Sequence, residues 1–336
     1  MSIDECLNNF DISKNDVLNI IDELSELGVL CNNTNSKVES YFANTNSNSS
    51  FFDAPRNRNK NQICLLGIPY DGAVTGASGC KLSPDKIRNL TSGYANQYIR
   101  IDGNLENYRP NINVYMNQAV FDLGNLLYIA GESSSDLHDR LEKLYALQIK
   151  QFPNKIVCIG GDHSITYPIL KCFKRKIKFV KIDAHYDSDT IINGIVNHAN
   201  FVTAIQNMDN VDEIIHVGVR EAWKPIFSNE KIKVITSDDI KRKDLSDLFL
   251  DFSQGDYDFY ISIDIDVLDP TIAPGTGFTI PFGLDIIDIF RIIKHINNIG
   301  NIVGMDIVEF NPLLDKNNMT GYAVIEILRF IIEILS

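Results

Sequence analysis

Residues 155–187 read KIVCIGGDHSITYPILKCFKRKIKFVKIDAHYD. Lys155–Gly160 and Lys178–Asp183 are short runs dominated by Ile, Val and Phe, and Thr166–Phe173 between them is a candidate helix. Strand, helix and strand in that order predict one parallel βαβ unit. Working outward, the alternation continues. Further strands are expected at Ile63–Pro69, Ala119–Leu123, Glu213–Val219, Lys233–Thr236, Phe259–Asp264 and Asn301–Ile307, and further helices at Ser134–Phe152, Phe201–Asn207, Asp285–Ile296 and Thr320–Leu335. Strands that are apolar nearly throughout, separated by helices, predict an α/β fold whose parallel sheet is covered on both faces.

The 336 residues, 44% of them hydrophobic and 22% charged, suffice for one large domain plus a small appendage and exclude wholesale disorder. A net charge of -13 speaks against nucleic acid or an anionic membrane as partner and suits a cationic substrate. None of the six cysteines forms a CxxC pair, no stretch approaches a membrane span, and Met1–Phe10 lacks the features of a signal peptide. A cytoplasmic location is therefore expected.

Residues 1–31 are expected to form a small helical unit. Ser13 and Asp16 make a capping-box-like start, Val17, Ile20, Ile21, Leu24 and Leu27 follow at helical spacing, and Gly28 supplies the stop. Asp11–Leu30 also resembles the end of a winged-helix unit, a module that recognises peptides in ribosomal-peptide-modifying enzymes. Residues 32–62 hold nine Asn and five Ser and read as a linker. The main domain is expected over residues 63–336.

Three of the expected strands end in acidic and imidazole side chains: Gly160-Gly161-Asp162-His163-Ser164, Asp183-Ala184-His185-Tyr186-Asp187, and Asp264-Ile265-Asp266. Ligands in open α/β sheets bind beyond the carboxyl ends of strands, so the three clusters can meet in one crevice. In extended chain alternate residues share a face, which groups Asp183, His185 and Asp187, and likewise Asp264 and Asp266. With His163 this makes four carboxylates and two imidazoles without a thiolate, a set that favours Mn²⁺ ahead of Zn²⁺. Carboxylates so crowded repel unless cations neutralise them, and two metals fit the count better than one.

These motifs, with Ser262–Gly277 (SIDIDVLDPTIAPGTG), Gly67–Gly72 and Ser83–Arg88, closely resemble the signatures of the ureohydrolases, the family of arginases, agmatinases and formiminoglutamases. The resemblance implies a three-layer α/β sandwich with an eight-stranded parallel sheet, two Mn²⁺ ions, and hydrolysis of a guanidino or related amidino group. Carried over by motif, His163 and Asp187 ligate one ion, His185 and Asp266 the other, and Asp183 and Asp264 both. Asp187 also orients the attacking water. Glu309, in Gly304–Pro312, matches the glutamate that clamps the guanidinium, and His198 matches the loop histidine that passes protons to the leaving amine. The family further implies a homo-oligomer.

Substrate choice is read from two loops. Where arginases hold the α-carboxylate and α-amino group of free arginine, residues 188–197 are shorter and more apolar, with Asp189 in place of an asparagine and Gly194 in place of a serine. Asn193 in this loop is a candidate substrate contact. After Gly218-Val219-Arg220, the sole tryptophan, Trp223, stands near the position of an amino-binding aspartate. A charged substrate backbone left without a partner is costly to desolvate, which disfavours free arginine. Agmatine and a peptide-embedded arginine escape that penalty, and free arginine stands as an alternative. The extra N-terminal unit favours the peptide, giving ornithine residues and urea. Against these stands a reading of another class, an inactive ureohydrolase-like binding or regulatory protein.

Overall fold

The structure, a computed structural model, describes residues 42–43, 49–56, 63–93, 98–100, 112–115, 119–151, 156–223, 231–252 and 257–336. The helical unit expected over residues 1–31 lies outside these.

Eleven strands are present among the described residues: β1 (Phe42–Ala43), β2 (Ile63–Gly67), β3 (Tyr98–Arg100), β4 (Ile112–Tyr115), β5 (Val120–Leu126), β6 (Ile156–Ile159), β7 (Ile177–Ile182), β8 (Val211–Val219), β9 (Ile232–Thr236), β10 (Tyr257–Asp264) and β11 (Gly300–Val308). Eight of them form the expected parallel sheet in the order β5-β2-β6-β11-β10-β7-β8-β9, and β1 adds two residues antiparallel to β5 at one edge. β3 and β4 make a separate antiparallel pair that the pattern of apolar residues did not announce.

Alternation along each strand divides the core. Leu65, Val157, Val180, Ile261 and Ile307 face one layer, closed by the helices Ile286–Ile299 and Met319–Leu335. Cys64, Leu66, Cys158, Phe179 and Tyr260 face the other, closed by Ser134–Gln151, Thr166–Lys171 and Phe201–Ile205. Both faces are therefore dry, which is why these strands carry few polar residues. Asp285 and Asp288 exchange backbone bonds in a capping box that starts Ile286–Ile299 within one residue of the expected position. Among the described residues no helix is long and apolar enough to cross a membrane.

Part of the Asn/Ser-rich stretch joins this core. Phe51 and Phe52 are fully buried, the amide of Phe51 donates to Asp122, and the Arg88 guanidinium lies 4.0 Å from the Phe51 ring centre. Arg88 is itself buried and grips Asp122 through Nε at 2.7 Å and Nη2 at 2.9 Å. Packing on the sheet thus begins before Ile63. Composition hid it, because two aromatic residues outweigh a polar neighbourhood when a paired charge awaits them.

Candidate active site

The four central strands, β6, β11, β10 and β7, end side by side, and each delivers a motif to the same crevice. The turn after β6 is forced close: a Cβ on Gly161 would lie 1.7 Å from the Tyr70 carbonyl oxygen, so only glycine fits. It places His163 at the start of a short 3-10 turn, where Asp162 caps by accepting from the Ser164 amide.

Six side chains meet there. His163 Nδ1 lies 3.1 Å from Asp183 Oδ2, 3.3 Å from Asp187 Oδ2 and 3.1 Å from Asp264 Oδ2. His185 Nδ1 lies 2.9 Å from Asp266 Oδ2 and 3.5 Å from Asp183 Oδ1. His163, Asp183 and Asp187 form one group, and Asp183, His185 and Asp266 another, each with its ligand-type atoms within 4.8 Å of one another. Asp183 belongs to both, turning a different oxygen to each.

The electrostatics fit a cation centre. Burial, reinforced by the charges of Asp266 and Asp183, pushes the Asp264 carboxyl well above the carboxylate range. Burial and Asp183 bring Asp266 up to about 6. Asp183 goes the other way: burial raises it, but Lys181 and the two imidazoles outweigh that and hold it well below the usual value. Such opposed shifts mark carboxylates that lack enough positive charge to stay ionised together.

A hydroxyl network sets the His163 tautomer. Ser262 donates to Asp306 at 2.5 Å, so it accepts from His163 Nε2–H at 2.8 Å. Asp306, fully buried, also accepts from Thr166 and Tyr260. Nε2 therefore keeps its proton on Ser262, and Nδ1, which faces the carboxylates, is the nitrogen that would bind a metal on giving up its own proton to the ion. The far side of the crevice is fixed by Arg220, which donates to the carbonyls of Asp266, Val267, Leu268 and Ile280.

Glu309 closes the cleft from the end of β11. Its Oε1 accepts from the His163 amide at 2.9 Å and from His198 Nδ1 at 3.1 Å. The amide of Thr75 donates to His198 Nε2 at 2.9 Å, so Nδ1 of this imidazole carries the proton. Burial lowers the His198 pKa, but the bond to Glu309 and its charge outweigh burial and raise it. Both Asp187 and Glu309 have left-handed backbone, φ 50° and 63°, a strained conformation characteristic of functional positions.

A cleft of about 270 Å³ opens over these groups, lined also by Thr75, Ser188, Asp189, Glu221, Trp223 and Phe278. Asp189 and Trp223 therefore stand where a substrate would pass. Asn193 does not: it is exposed at the tip of a tight turn with Gly194 (φ 53° and 74°), closed by pairing of Ile192 with Ile195. Glu221, Thr75 and Phe278 escaped the sequence reading because nothing local marks a loop residue as cleft-lining. Lys181 escaped too, although period two along β7 places it on the face of Asp183.

The Arginase family model matches residues 61–333. An agmatinase from Cronobacter sakazakii is 31% identical over 270 residues, covering 77% of this chain and 82% of the relative, and one from Escherichia coli O1:K1 is 30% identical with the same coverage. Agmatine ureohydrolase of Thermoplasma volcanium superposes with a TM-score of 0.71 at 27% identity, covering 86% of this chain and 95% of its own. Proclavaminate amidino hydrolase from Streptomyces clavuligerus, at 21% identity, shares the fold with a TM-score of 0.72 over 86% of this chain and 97% of its own. Sheet order, converging motifs and family match agree: the chain belongs to the arginase family of ureohydrolases.

Proposed function

We propose that the protein hydrolyses the guanidino group of a substrate that carries no free α-carboxylate, with agmatine first among them. The observation that carries this is the cleft lining: beyond the converging ligands it offers three carboxylates, Asp189, Glu221 and Glu309, and among the described residues neither Lys nor Arg. Such walls attract a guanidinium and the ammonium at the far end of agmatine, and leave the carboxylate of free arginine without a cationic partner. The agmatinase relatives support the same choice. Arginine within a peptide is the second reading. Its support is apolar surface at the mouth: Trp223 and Phe278 line the cleft, and Ile192 and Ile195 stand exposed on the loop beside it.

In this reading His163, Asp183, Asp187 and Asp264 would hold one Mn²⁺, and Asp183, His185, Asp264 and Asp266 would hold the second. When bound, the ions supply Lewis acidity and a water acidic enough to lose its proton near neutral pH. Glu309, already held by two donors, clamps the planar guanidinium and fixes its carbon for attack. Asp187 accepts a hydrogen bond from the attacking water and orients it. His198 exchanges Nδ1–H with the departing amine, with Thr75 holding the ring.

Mass spectrometry after incubation of the Mn²⁺-loaded protein with agmatine, free arginine and an arginine-containing peptide tests the reading. Putrescine and urea from agmatine, with little ornithine from free arginine, is the expected result. A peptide product lighter by about 42 Da per arginine, the CN₂H₂ lost in water-dependent guanidine cleavage, with agmatine untouched, moves the assignment to the peptide. Faster turnover of free arginine than of either overturns the proposal.

A further inference from the structure

Two residues beyond Glu309, Asn311 is buried and is not among the residues that line the cleft. Its Nδ2 donates to the carbonyls of Ala77 at 3.3 Å and Ser78 at 3.1 Å, and its Oδ1 accepts from the Leu313 amide at 3.0 Å. Its backbone amide donates to the Gly275 carbonyl at 2.8 Å. The fit is close: a Cβ on Gly79, where φ is 139°, would lie 2.3 Å from Asn311 Oδ1. Asn311 therefore fastens two loops to the end of β11, residues 71–79 and the segment that carries Thr276 and Phe278. The first of these reaches His198. Its stem is anchored by acidic side chains, Asp71 accepting from the Gly79 amide at 2.7 Å and Asp162 from the Ala73 amide at 3.0 Å. At its apex Thr75 turns its amide to His198 Nε2 at 2.9 Å and its hydroxyl to the same nitrogen at 2.8 Å. The limb that returns from Thr75 is where Asn311 takes hold. One side chain thus joins the loop behind His198 to the strand end that carries Glu309, and these two groups meet at 3.1 Å.

We propose that Asn311 is a positioning residue for the reaction: by holding residues 75–78 against the end of β11, it keeps His198 in register with Glu309 and its proton on Nδ1. The inference deepens the proposed function and rests on it for the roles of Glu309 and His198. The reason lies in donors and acceptors. A side-chain amide has the set this place requires, two N–H bonds for the carbonyls of Ala77 and Ser78 and an oxygen for Leu313. Asn311→Asp keeps the size and the acceptor but turns an oxygen toward the same two carbonyls, which loses both bonds and adds repulsion. The limb then moves away and takes Thr75 with it. Without the Thr75 amide on Nε2, nothing confines the imidazole proton to Nδ1. A shift of about 1 Å in a group that must meet the leaving amine slows turnover by about 100-fold. Substrate binding depends less on this contact, because Asn311 itself touches none of the cleft.

The test compares the full chain with Asn311→Asp and Asn311→Ala. Nitrogen NMR of the imidazoles, with diamagnetic Zn²⁺ supplied in place of Mn²⁺ and at a pH where His198 is neutral, reads its tautomer in the absence of substrate. The wild type should carry the proton on Nδ1 with Nε2 as acceptor, and each folded variant should show a mixture with the Nε2–H form. With Mn²⁺ and agmatine, kcat of the variants should fall by about 100-fold while KM changes no more than a few-fold. An unchanged tautomer in a folded variant overturns the inference, as does a wild type that carries its proton on Nε2. Failure of both variants to fold, read by circular dichroism and melting, overturns it as well, because Asn311 is then a residue of the fold. A wild type that turns over none of the guanidines overturns the proposed function instead, and the tautomer comparison still decides whether Asn311 holds the ring.

Discussion

Glu309 concentrates several roles in one carboxylate: it accepts from the His163 amide, accepts from His198 and faces the cleft. Glu309→Gln keeps an oxygen for both donors, so the fold should persist. Turnover should not: loss of the charge that clamps a guanidinium is expected to lower kcat/KM by about 100-fold or more in steady-state kinetics. The same variant should lower the His198 pKa, because Glu309's bond and charge, ahead of the charges of Asp187 and Asp162, raise it against burial. A titration of the imidazole by NMR checks this without reference to activity. That His163, Asp183, His185, Asp187, Asp264 and Asp266 meet in one crevice was legible because each motif is local. The tautomer of His163 was not, since Ser262 and Asp306 come from other strands and only the folded register brings them to Nε2.

At the scale of elements, the helix Ser134–Gln151 is tied to the turn after β6 by His138. Its Nε2 meets Ser164 Oγ at 3.1 Å, and Ser164 in turn donates to Asp162. Burial first, and the nearby Lys171 second, bring the His138 pKa down to about 4. The sign follows: between pH 6.5 and about 4 the unfolded chain takes up a proton that the folded chain refuses, so stability is complete above pH 6.5 and falls as pH drops through this window. The full difference is worth about 3 kcal/mol. Urea unfolding of wild type and His138→Gln at several pH values should show a steeper loss in the wild type across the window, and equal slopes would refute the assignment. The pattern that predicted this helix gave its length to within a residue or so, because a long amphipathic run is hard to misread. It missed the pair β3–β4 and the helices Ser83–Thr91 and Ser237–Arg242, whose short runs carry no clear period.

For the molecule as a whole, the packed carboxylates make the metal-free state the weaker one. Adding Mn²⁺ at about a thousand times its dissociation constant should stabilise the fold by about 4 kcal/mol. Calorimetric melting should accordingly move to higher temperature with Mn²⁺ and back with a chelator, and a melting temperature indifferent to both would speak against the centre. Fold class was legible from alternation alone, since strands covered on both faces read as apolar runs wherever they lie. The order of strands was not, because no run carries a label for its neighbour. That order has a consequence for how the protein is made. β6 and β7 are close in the chain, yet β11 and β10 lie between them in the sheet. A ribosome therefore releases both halves of the sheet with open central edges, and the gap stays unfilled until the segment through Val308 has emerged. Until then the nascent chain exposes two unpaired, hydrophobic strand edges at its centre, so chaperone occupancy during synthesis, and loss of truncated products to aggregation, should be governed by arrival of the last two strands.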